Sequence, residues 1–272
     1  MFKLNQKIGG IVCFFFALIL TLIPPVFNQI NWGFSPVAQA AQTEMIVSAA
    51  ASLTDVMKAI QPVYQQQNSS VKLTYNFASS GSLQQQIEQG APVDVFISAA
   101  PRQMNELEQK GLLLSGTRKD LLNNGIVLVV PKRGNSSVKT FQDLTNGQVG
   151  KVAIGEPESV PAGRYAKEVL TSMNMYDKLQ QKLVFAKDVR QVLTYVEGGN
   201  VDAGMVYTTD AKISDQVSIV ATAPAGSHSP IIYPVAVIKD SKNPEAAKGF
   251  ISFLSSNTAK SVFERYGFGL AN

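Results

Sequence analysis

Four short stretches combine small and hydroxylic residues in a way suited to holding an anion: "AASLTD" at 50–55, "FASSGSL" at 77–83, "VPAGRYAKE" at 160–168 and "AKDVRQVL" at 186–193. In each, an apolar run or loop ends and a helical pattern begins. The first turn of a helix leaves backbone N–H groups without an intrahelical acceptor and carries the positive end of the macrodipole. Small side chains let an anion approach those groups, and serine adds a hydroxyl donor. Taken singly, each junction is an ordinary helix start, because Ser, Thr and Asp are common N-caps. Taken together, in a chain whose ligands should gather at the carboxyl ends of strands, they point to one site. At "KDV", Asp188 is placed to cap an N–H two or three residues on, which leaves the Val189 N–H free.

The elements that must position these residues are those of an α/β protein. Short β-rich runs at 45–49, 71–78, 94–99, 125–132, 151–155, 182–186, 203–207, 217–222 and 233–238 alternate with helical patterns. Such alternation predicts parallel-dominated sheets covered by helices on both faces. The helix from Ser52 sets Leu53, Val56, Met57, Ile60 and Tyr64 on one apolar stripe, and Pro62 is expected to kink its last turn. Gly90 and Gly111 stop the helices at 82–89 and 102–110. About 230 residues beyond the leader, with this many strands, divide better into two lobes than into one sheet. "NNG" at 123–125 and "PAGSHSP" at 224–230 are the expected crossing points. The first lobe is then discontinuous, 41–123 with 232–272, and the second is 124–231.

Residues 1–40 read as a signal peptide. Lys3 and Lys7 precede an apolar run from Ile8 to Ile23, no acidic residue occurs, and Ala38 and Ala40 form an A-x-A cleavage site. An uncleaved anchor is the competing reading, although the run is shorter than the ~20 residues of a spanning helix. Cys13 lies inside the run rather than at its end, which argues against lipid attachment. Beyond Ala40 the chain has neither Cys nor Trp, which excludes a disulfide framework and a thiol nucleophile. Loss of Lys3 and Lys7 lowers the formal charge from +4 to +2. No basic run or aromatic-basic interleaving supports nucleic-acid binding.

Other chemistry finds little support. His228 is the sole histidine and lies among loop residues. A serine hydrolase, the distant alternative, would need it beside Ser52 or Ser80 with an orienting carboxylate, and no G-x-S-x-G elbow is present. Asp55, Asp94 and Asp202 lack His or Cys companions and read as caps and strand ends rather than metal ligands. Arg164 and Arg190 follow the helix starts, where their charge could add long-range attraction for an anion, but both read first as exposed helix faces.

The four stretches, together with "GEPESV", "GMVYTTDA", "YPVAVI" and the terminal "RYGF", resemble the periplasmic molybdate-binding proteins of ABC transporters across essentially the whole chain beyond the leader. The resemblance implies a two-lobe type II periplasmic-binding fold, with mixed sheets flanked by helices and a ligand cleft between the lobes. It also implies a monomeric, non-enzymatic periplasmic receptor without a cofactor, whose ligand is molybdate or tungstate and whose partners are an ABC permease and its ATPase. Position by position, Ser52, Ser80, Ala162, Val189 and Tyr207 match the family's ligand-binding residues. They meet the metal only through its oxygens, with no direct ligation.

Molybdate is a fully deprotonated dianion near neutral pH, so its site needs donors and no acceptor. The two serines offer an N–H and a hydroxyl each, Ala162 and Val189 one N–H each, and Tyr207 a hydroxyl. Hydrogen bonds to a charged group contribute about 1.5–3 kcal/mol each, so a gross sum above ~10 kcal/mol is available without an arginine. Phosphate, which keeps a proton, should be rejected. Sulfate or another tetrahedral oxyanion remains the alternative ligand, because only cavity size separates it from molybdate.

Overall fold

The computed structural model describes residues 42–134 and 136–271. The expected leader, with Cys13, Ala38 and Ala40, lies outside the described residues.

In chain order the elements are β1 (Thr43–Ala50), α1 (Thr54–Gln67), β2 (Val71–Ala78), α2 (Ser80–Glu88), β3 (Val95–Ile97), α3 (Pro101–Gln109), β4 (Lys119–Asn123) and β5 (Ile126–Pro131). Then follow β6 (Val152–Gly155), α4 (Pro161–Ser172), α5 (Tyr176–Leu179), β7 (Leu183–Ala186), α6 (Val189–Glu197), β8 (Ala203–Tyr207), α7 (Thr208–Lys212) and β9 (Val217–Thr222). The chain closes with β10 (Ile232–Val237), α8 (Pro244–Leu254), α9 (Asn257–Arg265) and β11 (Gly269–Leu270).

Two sheets result, flanked by helices. The first has the order β11-β4-β10-β3-β1-β2 and the second β7-β6-β8-β5-β9. The chain passes from the first sheet to the second through Asn124 and Gly125, and returns between β9 and β10. The sheets are less parallel than the alternation predicts. β1 pairs in parallel with β2 and β3, and β6 with β7 and β8, but β10 and β5 are antiparallel to their neighbours. Parallel neighbours need a covering crossover within one sheet. β5 and β10 instead enter directly from the other sheet, and so can run against their neighbours.

The apolar stripe of α1 is buried as its spacing requires, and Tyr64 meets Phe250 and Phe253 of α8 edge-on, with ring centroids 4.9 and 5.1 Å away. Pro62 does not end the helix, which runs unbroken to Gln67. Lys58, whose carbonyl loses its partner to the proline, is exposed like Pro62 itself, so water can replace the missing bond. Gly90 and Gly111 follow α2 and α3 with φ of 82° and 66°, the left-handed backbone that ends a helix without a Cβ penalty. Strands β4 and β11 are additional to those read from the sequence. Among the described residues no helix is long and apolar enough to cross a membrane.

Candidate functional site

The carboxyl ends of β1, β2, β3 and β8 and the starts of α2, α4 and α6 meet around a small, tight cavity with space of about 10 Å³, roughly that of a single water. Its lining includes Ser52, Ser80, Ala162, Val189 and Tyr207, all five of the residues singled out from the sequence, and each of them is buried. Ala50, Ala51, Ala78 and Ala99 complete much of the wall. Their methyl groups bring the backbone close to the space without filling it.

Each donor is set by its local structure. Ser52 lies in a 3-10 turn, Ala51–Leu53, that leads from β1 into α1, and its Oγ is 3.0 Å from Tyr233 Oη. Ser80 opens α2 behind the cap Ser79, whose Oγ accepts the Ser82 N–H at 3.2 Å. Ser80 Oγ itself accepts the Ala99 N–H at 2.9 Å. Pro161 starts α4 without an N–H, and no side chain caps that helix, so the Ala162 N–H is left facing outward from the first turn. Asp188 caps α6 by accepting the Gln191 N–H at 2.9 Å, three residues on, which leaves the Val189 N–H without an intrahelical acceptor. Tyr207 ends β8, and its hydroxyl donates to the Ala99 carbonyl at 3.3 Å. Burial pushes the phenols of Tyr207 and Tyr233 well above the usual tyrosine range, so both keep their hydrogens at neutral pH.

Contacts join the two sheet-bearing halves beside the cavity. The Gly81 N–H of α2 donates to the Ser159 carbonyl at 2.9 Å, and a Cβ at Gly81 would come within 2.5 Å of that same oxygen. Arg190, next to Val189, makes ion pairs of 2.7 Å with Asp55 of α1 and with Asp210 of α7, and donates to the Ser52 carbonyl at 3.3 Å. The expectation of an exposed helix face therefore fails for Arg190, whose side chain is three-quarters buried because it neutralises the fully buried Asp210. Burial raises the Asp210 carboxyl to about 6, with Arg190 pulling the other way.

The remaining candidates lie elsewhere. His228 stands in a separate groove with Lys167 and Glu168, half-buried and edge-on to Tyr165, and takes no part in the cavity. Arg164 lies over the Tyr165 ring, 5.4 Å from its centroid. Asp94 accepts the Ile46 N–H, and Asp202 accepts those of Gly150 and Lys151. Asp55 is an ion-pair partner rather than a cap. No group of residues suited to holding a metal ion occurs among the described residues. Sequence reasoning missed Tyr233, Asn124 and the Gly81–Ser159 contact, none of which carries a local motif.

An α/β chain whose two sheets deliver helix starts to one small donor-lined cavity has the plan of a solute-binding protein. This chain belongs to the bacterial extracellular solute-binding protein family, whose profile matches residues 45–269, and such a protein is a receptor rather than an enzyme. It is 48% identical over 224 residues to a putative ABC transporter substrate-binding lipoprotein of Bacillus subtilis, covering 82% of this chain and 85% of that one. It is 40% identical over 255 residues to the molybdate-binding protein ModA of Haemophilus influenzae, covering 92% and 98%. Among solved structures, the substrate-binding domain of a putative molybdenum ABC transporter from Clostridium difficile aligns with a TM-score of 0.66 at 51% identity, covering 85% of this chain and all of that one.

Proposed function

We propose that this protein captures molybdate, and tungstate with it, in the periplasm and delivers it to an ABC permease driven by its ATPase. The observation that carries the reading is the cavity itself, where Ser52, Ser80, Ala162, Val189 and Tyr207 converge with donors and no unpaired carboxylate. Asp188, the one acidic residue of the lining, is engaged as a helix cap. Identity to a molybdate-binding relative over nearly the full chain supports the same ligand. Here 41–123 with 232–272 and 124–231 act as two lobes of a monomer, and the leader 1–40 is removed on export. Ser52 and Ser80 belong to one lobe and Ala162, Val189 and Tyr207 to the other, so an anion held by both favours the shut arrangement.

A thermal-shift series tests this. Molybdate or tungstate at a hundredfold over its dissociation constant should stabilise the fold by about 2.7 kcal/mol, a rise of about 5–10 °C for a chain of this size. Phosphate should leave the melting temperature unchanged. A rise with sulfate alone would reassign the ligand to that oxyanion, and no rise with any of the four salts would refute the reading.

A further inference from the structure

The direction in which the Ser52 hydroxyl points is set from behind the cavity. Tyr233 Oη, fully buried, lies 3.0 Å from Ser52 Oγ, and Asn124 Nδ2 donates to the same tyrosine oxygen at 3.1 Å. The amide of Asn124 is held one way round. Its Oδ1 accepts the Gly125 N–H at 2.9 Å, while Nδ2 also reaches Thr209 Oγ1 at 2.9 Å. An amide NH₂ has hydrogens and no lone pair to offer, so Tyr233 accepts from Asn124 and its own single hydrogen must go to Ser52. The reverse sense would leave a buried tyrosine hydrogen without an acceptor, a costly arrangement. Ser52 Oγ therefore accepts from Tyr233, and its hydrogen is left for the cavity. The Ala99 N–H, which can only donate, imposes the same sense on Ser80.

We infer that Asn124 and Tyr233 are positioning residues that leave the Ser52 hydrogen free to be donated to the ligand, and so favour oxyanions that carry no proton. The inference rests on the molybdate reading above. A protonated oxyanion that turned its O–H toward Ser52 would set it against that hydrogen. Tyr233→Phe frees Ser52 to rotate and accept. Asn124→Asp reverses the chain: the new carboxylate takes the tyrosine hydrogen, the tyrosine oxygen takes that of Ser52, and Ser52 turns a lone pair to the ligand.

The test is displacement of saturating molybdate by phosphate, followed by calorimetry in a mildly alkaline buffer. Both ligands are then dianions, but only phosphate keeps a proton. Extra negative charge or looser packing weakens both alike and leaves the displacing ratio unchanged, whereas a reoriented hydroxyl changes it. Phosphate should displace molybdate from Tyr233→Phe at about one-tenth the concentration needed for the wild type, and from Asn124→Asp at that concentration or lower. Melting without ligand establishes which variants fold, and Tyr233→Phe, which loses a single hydroxyl, carries the test if Asn124→Asp does not. An unchanged displacing concentration, or no displacement at any concentration that displaces the wild type, overturns the inference. A wild type that does not bind molybdate overturns the proposed function instead.

Discussion

The two sides of the cavity offer the same kind of group by different means. On the side of the first sheet, Ser52 and Ser80 present hydroxyls whose oxygens are held from behind by Tyr233 and the Ala99 N–H. On the side of the second sheet, Ala162 and Val189 have only backbone N–H groups to give, and Tyr207 brings the one hydroxyl, whose hydrogen rests on the Ala99 carbonyl and must leave it to reach a ligand. A hydroxyl is lost by a single substitution. A backbone donor is lost only when the helix carrying it moves. The first side is thus sensitive to side-chain chemistry and the second to packing.

The largest effect should come from disturbing that packing. A Cβ at Gly163 would lie 1.9 Å from the Gly155 carbonyl oxygen, so α4 rests directly on the end of β6. Gly163→Ala should lose about 3 kcal/mol or more in urea unfolding and weaken molybdate binding with it. An unchanged midpoint would mean that α4 can retreat at little cost.

On the other side, Ser52→Ala should weaken molybdate by about 1.5–3 kcal/mol, ten- to hundredfold by calorimetry. Val189→Ala keeps its N–H and should stay within about threefold. Equal losses would erase the contrast.

A smaller effect belongs to the ion pairs that link the sides. Burial holds the Asp210 carboxyl up at about 6, above its unfolded value, so the folded state retains a proton that the unfolded chain has released. Its contribution to stability is present below about pH 4 and is lost as pH rises through about 6. Unfolding free energies measured across this range should fall by about 2 kcal/mol for the wild type relative to Asp210→Asn. A difference that stays flat would place Asp210 as ionised throughout.

Smallest of all, Asp55→Asn should weaken molybdate by about 0.5 kcal/mol, because the carboxylate is 43% exposed. High salt should remove even that difference. A salt-independent loss would mean that the Arg190–Asp55 pair is less solvated than its exposure indicates.

What could be read in the sequence followed from local rules. The positions that meet at the cavity each follow a strand end or open a helix, and small residues announce such places. β4 escaped because "KDLLN" carries charges and no β-branched residue, and acquires its strand form from β10 and β11 on either side. Tyr233 reads as one more residue of an apolar strand, and Asn124 as part of a crossing, because nothing local announces a partner 109 residues away. Arg190 was misread for the same reason: its helix has a solvent face, but Asp210 and Asp55 come to it from other elements.

The main-chain bond from Gly81 to Ser159 has one more use. It needs no side chain on either partner, and its donor and acceptor belong to opposite halves, so it exists only while the halves are together. Deuterium exchange at that single amide would then act as a clock, running slowly whenever the molecule is shut and quickly whenever it gapes, with no label attached.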